Sequence, residues 1–232
     1  MKTALLFVLH GRTEKIAAYN LETIYSLQKE TSLTSSYGFL EGNQATLEMA
    51  ATDLVKQGVK KLIVIPLLLF PATHALVDLP DRLKACLPSE VTFEVLETIG
   101  TTQTMFAGLK EKIQAAPTRG KLMIIAHGTP HYSEPLAMLK EICHKLEVEC
   151  QRPIIWGNYV GPDNYLQVAA KEREPLVVLP FFLTVGHIVK KITKELTTAH
   201  LEGVVFLPTF QDSDTLYLAL KERMEEAGCI QS

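Results

Sequence analysis

Three ionisable side chains that could hold a metal ion follow three different apolar runs of the sequence. His10 ends the first run, Glu41 ends the second, and His74 comes shortly after the third. Two imidazoles and one carboxylate suit first-row divalent metals such as Fe, Co, Ni or Zn, and three protein ligands leave coordination positions open. Histidine can also accept a proton near neutral pH. These residue types predict a site that binds a divalent metal ion and can transfer it to another ligand.

The elements that must position these residues alternate between apolar and amphipathic stretches. The first half predicts strands over 3–9, 34–40, 61–69 and 92–96, and helices over 13–30, 44–57, 75–86 and 104–115. Apolar runs without polar alternation are typical of parallel strands covered on both faces. The carboxyl ends of parallel strands meet at one edge, where ligands bind in open α/β sheets. We therefore expect His10, Glu41 and His74 to lie together at that edge.

The second half repeats this order. It predicts strands over 121–126, 153–159, 176–182 and 204–207, and helices over 134–146, 164–171, 187–200 and 213–227. His127-Gly128 corresponds to His10-Gly11, and His187 corresponds to His74. Aligning Gly157 with Gly38 places Val160 opposite Glu41, so the carboxylate is missing; Asp163 is near but falls past the strand end. The second-half histidines could therefore bind metal, line a substrate site or be structural.

The duplication predicts an α/β protein with two lobes, each a four-stranded parallel sheet flanked by helices. The first lobe, with the metal site, is expected over residues 1–115 and the second over 121–232, with 116–120 as the linker.

Composition narrows the function classes. The chain has 232 residues, of which 47% are hydrophobic and 21% charged, so wholesale disorder is excluded. A net charge of −3 argues against a dedicated nucleic-acid binder. The four cysteines form no CxxC pair and are expected to be free thiols. The apolar runs are too short for a signal-peptide core or a bilayer span, so we expect a cytoplasmic protein with no membrane partner.

Five segments of the sequence carry a family resemblance. They are Leu9-His10-Gly11, Phe39-Leu40-Glu41, residues 64–70 followed by His74, His127-Gly128, and residues 179–183 through Gly186-His187. Together they resemble the class II tetrapyrrole chelatases, which insert Co, Fe or Ni into sirohydrochlorin. Because the resemblance covers both halves, it is strongest to the long, duplicated members, which include the siroheme-pathway ferrochelatase and the long cobaltochelatase of the cobalamin pathway. One departure is Pro71-Ala72-Thr73, where members often have a Gly-rich stretch.

The resemblance implies two flavodoxin-like lobes with a cleft between them and a lyase that inserts a divalent metal. The family's metal ligands carry over to His10, Glu41 and His74, with His10 also the expected base. For the substrate we expect carboxylate contacts from Arg12 and Lys190, an apolar surface from Leu68, Leu69 and Phe70, and a further role for His127 and His187. The expected partners are sirohydrochlorin and Fe, Co or Ni as a substrate, with no prosthetic group, and the chain is expected to be a monomer.

Two other functions are open at this point. The run Leu9–Glu14 also resembles the histidine-phosphatase signature, but Leu9 stands where that family needs a cation, and the second His-Gly pair has no role there. A metal or tetrapyrrole carrier that does not catalyse insertion would show the same histidines. Among chelatases, two His and one Glu do not select between Fe and Co; iron insertion for siroheme is slightly favoured because no His-rich tail or cysteine cluster is present.

Overall fold

The computed structural model describes residues 1–11, 18–71, 77–200, 202–211 and 213–230. The strands are β1 (Thr3–Leu9), β2 (Thr34–Phe39), β3 (Lys61–Leu67), β4 (Thr92–Val95), β5 (Lys121–Ala126), β6 (Ile154–Asn158), β7 (Leu176–Pro180) and β8 (Val204–Phe206). The helices are α1 (Ala18–Glu30), α2 (Leu47–Lys56), α3 (Leu79–Cys86), α4 (Gln103–Gln114), α5 (Glu134–Cys150), α6 (Tyr165–Ala169), α7 (His187–Ala199) and α8 (Thr215–Glu226). The predicted order of elements is confirmed, and most bounds differ by a few residues. The predicted starts of the first and third helices, at residues 13 and 75, lie outside the described residues.

The strands form two four-stranded sheets with the same topology. One sheet has the order β2-β1-β3-β4 and the other β6-β5-β7-β8, and the strand pairs within each are parallel. From β1 the chain first adds β2 on one side and then β3 on the other, and β5, β6 and β7 repeat this change of side. Open α/β sheets bind ligands at the place where the connections change side, here β1/β3 and β5/β7. The predicted α/β fold with two four-stranded parallel sheets is confirmed.

Burial of β1 on both faces explains its unbroken apolar sequence. Ala4, Leu6 and Val8 join a core cluster with residues of α2 and α3. Leu5 and Phe7, on the opposite face, are fully buried. Each such Leu or Phe adds about 1.5–3 kcal/mol of stabilisation relative to an exposed side chain.

A buried glycine lets a helix cross the second strand closely in both sheets. A Cβ on Gly38 would lie 2.7 Å from the Leu47 Cα, and a Cβ on Gly157 would lie 2.8 Å from the Tyr165 Cα. The equivalence of Gly38 and Gly157 expected from the repeat therefore has a packing reason, because the helix that follows each strand begins against it.

Two compact units divide the chain at places other than the predicted linker. One unit comprises residues 1–104 and 214–232, and the other comprises 105–213. The final helix, α8, thus belongs with the first sheet, whereas α4 belongs with the second. The predicted lobes, 1–115 and 121–232, assigned each of these helices to the sheet that precedes it.

Polar contacts of α8 explain its place in the first unit. The guanidinium of Arg223, 8% exposed as a residue, donates from Nε and Nη2 to the Thr98 carbonyl at 3.2 and 3.0 Å. The Glu222 carboxylate accepts from the backbone N–H groups of Gln103 and Thr104 at 2.7 and 2.9 Å. The first-unit segment that leads into α4 is therefore held by the last helix of the chain.

In the second unit, α4 buries Met105, Leu109 and Ile113. Its Lys112 ammonium lies 5.0 Å from the centroid of the Phe210 ring, which is fully buried.

The four cysteines form no disulfide, as expected. None of the helices in the described ranges combines the length and apolar character that a membrane span requires.

Candidate metal centre

Two of the three predicted metal ligands meet at the carboxyl edge of the first sheet. The His10 Nε2 atom lies 3.4 Å from the Glu41 Oε1 atom. Both side chains are accessible, with 51% of His10 and 39% of Glu41 exposed, so a ligand from solution can reach both. The fold therefore places side by side an imidazole and a carboxylate that are 31 positions apart in the sequence.

Backbone bonds between the two loops set this distance. The Leu40 N–H donates to the Leu9 carbonyl at 2.9 Å, and the Glu41 N–H donates to the Gly11 carbonyl at 3.1 Å. Gly11 has φ of +92°, a value that side-chain-bearing residues rarely adopt, which lets the chain turn sharply after His10. Backbone hydrogen bonds thus join the loops after β1 and β2 at Glu41 itself and at the residues on either side of His10.

The loop that carries Glu41 closes on itself before α2. The Phe39 N–H donates to the Ala45 carbonyl at 2.9 Å, and Ala45 has φ of +48°. Thr46 then caps α2, its hydroxyl accepting from the Met49 N–H at 3.3 Å. Since an N-cap satisfies a backbone donor that the helix itself cannot, α2 begins at a fixed place beyond this loop.

Two of the predicted site residues, His74 and Arg12, lie outside the described residues. Over the ranges that the structure does describe, no three His, Cys, Asp or Glu side chains gather as a metal-binding group. The pair of His10 and Glu41 is therefore the described part of the predicted ligand set.

The predicted apolar surface follows β3 directly. Leu68, Leu69 and Phe70 are each partly buried. The Leu68 carbonyl accepts from the Ile99 N–H at 3.0 Å, and the Leu69 carbonyl accepts from the Gly100 N–H at 2.9 Å. A Cβ on Gly100 would lie only 2.0 Å from the Leu69 oxygen, so this approach requires glycine. The segment is fixed by backbone contacts and retains some exposed apolar surface.

The second sheet places His127 at the position of His10 but surrounds it differently. His127 is exposed, its Nδ1 lies 2.8 Å from the Gly128 carbonyl oxygen, and its ring centroid lies 6.0 Å from that of Tyr159. The Lys191 ammonium donates to the Tyr159 hydroxyl at 3.3 Å and lies 5.4 Å from the centroid of that ring. The hydrogen bond to Tyr159 is the main cause that raises the pKa of Lys191.

The other second-lobe candidates lie at the start of α7 or have structural partners. His187 is the first residue of α7, and both it and Lys190 are exposed. Asp163, near the position where the carboxylate is missing, bonds to the Lys140 ammonium at 3.1 Å and accepts from the Trp156 indole at 3.2 Å. Those bonds, Lys140 foremost, lower the pKa of Asp163, which is therefore occupied in an ion pair.

Sequence reasoning missed the ion pair of Arg82 with Glu48, which lies beside the Glu41 loop, and the contact of Lys191 with Tyr159. In each case the two residues are more than 30 positions apart and look like ordinary surface positions of a helix or strand end. No spacing motif could have marked them.

Comparison with known proteins gives a family and curated relatives. The CbiX family model matches residues 4–116. The sirohydrochlorin cobaltochelatase of Sulfurisphaera tokodaii is 34% identical over 112 residues, which covers 47% of this chain and 89% of that protein. The sirohydrochlorin cobaltochelatase of Priestia megaterium is 24% identical over 245 residues, covering 96% of this chain and 79% of its own length.

A solved structure shares the whole fold. SirB from Bacillus subtilis, determined with Fe3+, superposes with a TM-score of 0.82 at 20% identity, and the match covers 100% of both chains. At that identity the likeness concerns the fold, which includes both parallel sheets.

Proposed function

This chain belongs to the CbiX family, and from that premise we propose that it is a sirohydrochlorin chelatase, a lyase that inserts Fe or Co into sirohydrochlorin in siroheme or cobalamin biosynthesis. The observation that carries the proposal is the accessible pair of His10 and Glu41, 3.4 Å apart at the carboxyl edge of the first sheet. Both curated relatives named above are cobaltochelatases of sirohydrochlorin.

The chemistry requires that a divalent metal exchange protein ligands for pyrrole nitrogens while two pyrrole N–H protons leave. His10 and Glu41 supply one nitrogen and one oxygen donor on one side of the metal, and His74 is proposed as the third ligand. Open coordination positions then face the macrocycle. The metal is a substrate of this reaction, so the ligands must hold it without enclosing it.

The same side chains are proposed to remove the two pyrrole N–H protons. A neutral imidazole accepts a proton near neutral pH, so we assign His10 as ligand and base. Glu41, at hydrogen-bonding range of a protonated His10, holds the metal or relays the proton towards solvent. The half-exposed state of both groups gives the two released protons a path to water.

The substrate contacts predicted from the sequence are proposed as follows. Leu68, Leu69 and Phe70 offer apolar surface to the ring, and Arg12 and Lys190 offer charge to its eight carboxylates, with His127 and His187 contributing to binding. Because the net charge of the chain is −3, attraction of this anionic substrate must be local. Arg12→Ala is expected to raise the KM for sirohydrochlorin, and an unchanged KM would remove Arg12 from the site.

Single-turnover absorbance tests the function directly. Anaerobic mixing of the chain with sirohydrochlorin and Co(II) or Fe(II) should accelerate insertion over the uncatalysed reaction, and His10→Ala and His74→Ala should remove the acceleration. A rate equal to the uncatalysed value, with metal or tetrapyrrole still bound, would instead indicate a carrier. Hydrolysis of p-nitrophenyl phosphate without added metal would indicate the phosphatase alternative.

The choice between metals is decided by comparing insertion rates of Fe(II), Co(II) and Ni(II), and iron is our slight preference. That the chain is a cytoplasmic monomer without a prosthetic group stays a prediction. The expected lack of a nucleic-acid or membrane partner stays a prediction as well.

A further inference from the structure

An arginine on α3 reaches the loop that carries Glu41. The Arg82 guanidinium binds the Glu48 carboxylate with two parallel bonds, Nε to Oε1 at 2.5 Å and Nη2 to Oε2 at 2.9 Å. Its remaining nitrogen, Nη1, donates to the Leu40 carbonyl oxygen at 2.6 Å. Arg82 therefore joins three elements: its own helix, the start of α2, and the loop between β2 and α2.

The bond to Leu40 matters because of the peptide unit it holds. The Leu40 carbonyl and the Glu41 N–H belong to one planar peptide group. Arg82 binds the carbonyl end, and the Gly11 carbonyl accepts from the N–H end at 3.1 Å. A planar group held at both ends has a fixed orientation, which fixes the N–Cα bond of Glu41 and therefore the place from which its side chain extends towards His10.

Glu48 in turn holds the guanidinium in place. The hydrogen bonds from Arg82 are the main cause that lowers the pKa of Glu48, and the same contact raises the pKa of Arg82. Both groups thus stay ionised at ordinary pH, and a bidentate pair also fixes the plane of the guanidinium. With two nitrogens held by Glu48, the direction of Nη1 is fixed, and Nη1 meets the Leu40 carbonyl oxygen.

The second sheet lacks this arrangement at the matching place. The offset that relates His74 to His187 places Glu195 at the position of Arg82, and Glu195 accepts a hydrogen bond from the Tyr165 hydroxyl on α6. The Tyr159 carbonyl, equivalent to that of Leu40, accepts from the Asn164 amide at 3.5 Å. The next residue is Val160, which has no polar side chain to orient. The sheet that has a carboxylate at this position therefore also has the guanidinium contact, and the other sheet has neither.

We propose that Arg82 is a positioning residue for Glu41: by holding the 40–41 peptide, it sets the carboxylate beside His10 where both contact the metal substrate. The inference rests on the proposed function, since it assigns Arg82 a role in the same site. It also gives α3, the helix that follows His74 in the sequence, a direct connection to the Glu41 loop.

The first measurement is the Kd for Co(II) alone, followed by absorbance, in Arg82→Met and Arg82→Lys. Loss of a group that orients a metal ligand costs about 10–100-fold in metal affinity. We expect Arg82→Met to weaken Co(II) binding by about 10-fold. Arg82→Lys should be intermediate, because an ammonium cannot reproduce the bidentate contact and also reach Leu40. A wild-type Kd in a folded Arg82→Met overturns the proposal.

Two controls separate positioning from general stability. Lys61→Met removes an ion pair of 3.0 Å with Glu94 in the same sheet, away from the site, and should leave the Co(II) Kd unchanged. In a Glu41→Val background, Arg82→Met should add no further loss of affinity, because the carboxylate that Arg82 positions is absent. An additional full loss there would mean that Arg82 acts elsewhere, and would overturn the proposal. If Arg82→Met does not fold, Arg82→Lys decides in the same way.

Insertion kinetics supply the second readout. Arg82→Met should lower kcat while the KM for sirohydrochlorin stays within about twofold, since the macrocycle itself is not held by this residue. A higher KM with unchanged kcat would make Arg82 a substrate-binding residue instead and would overturn the assignment. If the wild-type chain binds Co(II) but inserts no metal, the proposed function fails, while the Co(II) affinities still decide the role of Arg82.

Discussion

The carboxyl edges of the two sheets share a backbone and differ in chemistry. Both second strands carry a buried glycine, and both following loops contain a non-glycine residue with positive φ, Ala45 in one and Asp163 in the other. The Glu41 N–H bonds to the loop after β1, and the Val160 N–H bonds to the corresponding loop after β5. At this shared position one sheet has a carboxylate and the other an isopropyl group. The backbones of the two edges are therefore alike at this position, and the difference between them lies in the side chains.

The neighbouring helices diverge in step with that side chain. In the first sheet, α2 and α3 are joined by the ion pair of Glu48 with Arg82. In the second, α6 and α7 are joined by the hydrogen bond from Tyr165 to Glu195. Burial, followed by that bond, raises the pKa of Tyr165 well above its ordinary value, so this contact involves a neutral phenol. The helices beside the first sheet are thus joined by an ion pair, and those beside the second sheet by a hydrogen bond from a neutral phenol to a carboxylate.

The largest expected difference between the sheets is catalytic. His10→Ala should lower the rate of metal insertion by at least about 100-fold, the usual contribution of a positioned proton acceptor. The matched variant His127→Ala should leave kcat within a few-fold and act mainly on the KM for sirohydrochlorin. The measurement is steady-state insertion of Co(II). Equal losses of kcat in the two variants would contradict the assignment of the metal to the first sheet.

Exchanging the side chains at the shared position sharpens the comparison. Glu41→Val gives the first sheet the residue of the second and should weaken Co(II) binding by about 10–100-fold. Val160→Glu places a carboxylate after β6 beside His127 and should add a second, weaker Co(II) site. Titration by calorimetry gives both the Kd and the stoichiometry. If Glu41→Val binds Co(II) as tightly as the wild type, the carboxylate is not a ligand.

The two strand glycines should differ in what an added methyl costs. In Gly38→Ala the new Cβ meets only backbone, with Leu47 and Thr46 atoms at 2.7–2.9 Å. In Gly157→Ala one of the nearest atoms is the flexible Met123 Cε at 2.7 Å, although Tyr165 backbone lies at 2.8 Å. We expect Gly38→Ala to lower the free energy of unfolding by about 1–3 kcal/mol, as overpacking does, and Gly157→Ala to cost less. Urea unfolding measures both, and the reverse order would contradict the close crossing of α2.

The smallest expected effect is a pH dependence. Arg82 holds the pKa of Glu48 below its ordinary value of 4.5, so the ionised pair stabilises the fold above that pH. The contribution is lost as pH falls from 4.5 through the lower pKa of the folded state. In Glu48→Gln, the unfolding midpoint should therefore fall less steeply with pH in this acid range. An unchanged slope would mean that the pair adds no pH-dependent stability.

The sequence predicts the sheets well because their signals are local. Apolar runs such as that of β1 define buried parallel strands, and the strand order places His10 and Glu41 on one edge without any knowledge of side-chain contacts. The pairing of Arg82 with Glu48 is not local, since the residues are 34 positions apart and each fits an ordinary amphipathic helix. The hydrophobic face of α8 likewise shows that the helix is buried but not which sheet it covers.

The assignment of α8 to the first unit has a consequence for synthesis of the protein. Residues 1–104 leave the ribosome long before residues 214–230, which complete their unit. At about 5–20 residues per second, the nascent first unit waits several seconds for its final helix, and the apolar surface that Leu216, Leu220 and Met224 later cover is exposed during that time. A stalled or prematurely terminated chain would therefore lack the helix that completes its first unit, even though the proposed metal ligands of that unit had already been translated.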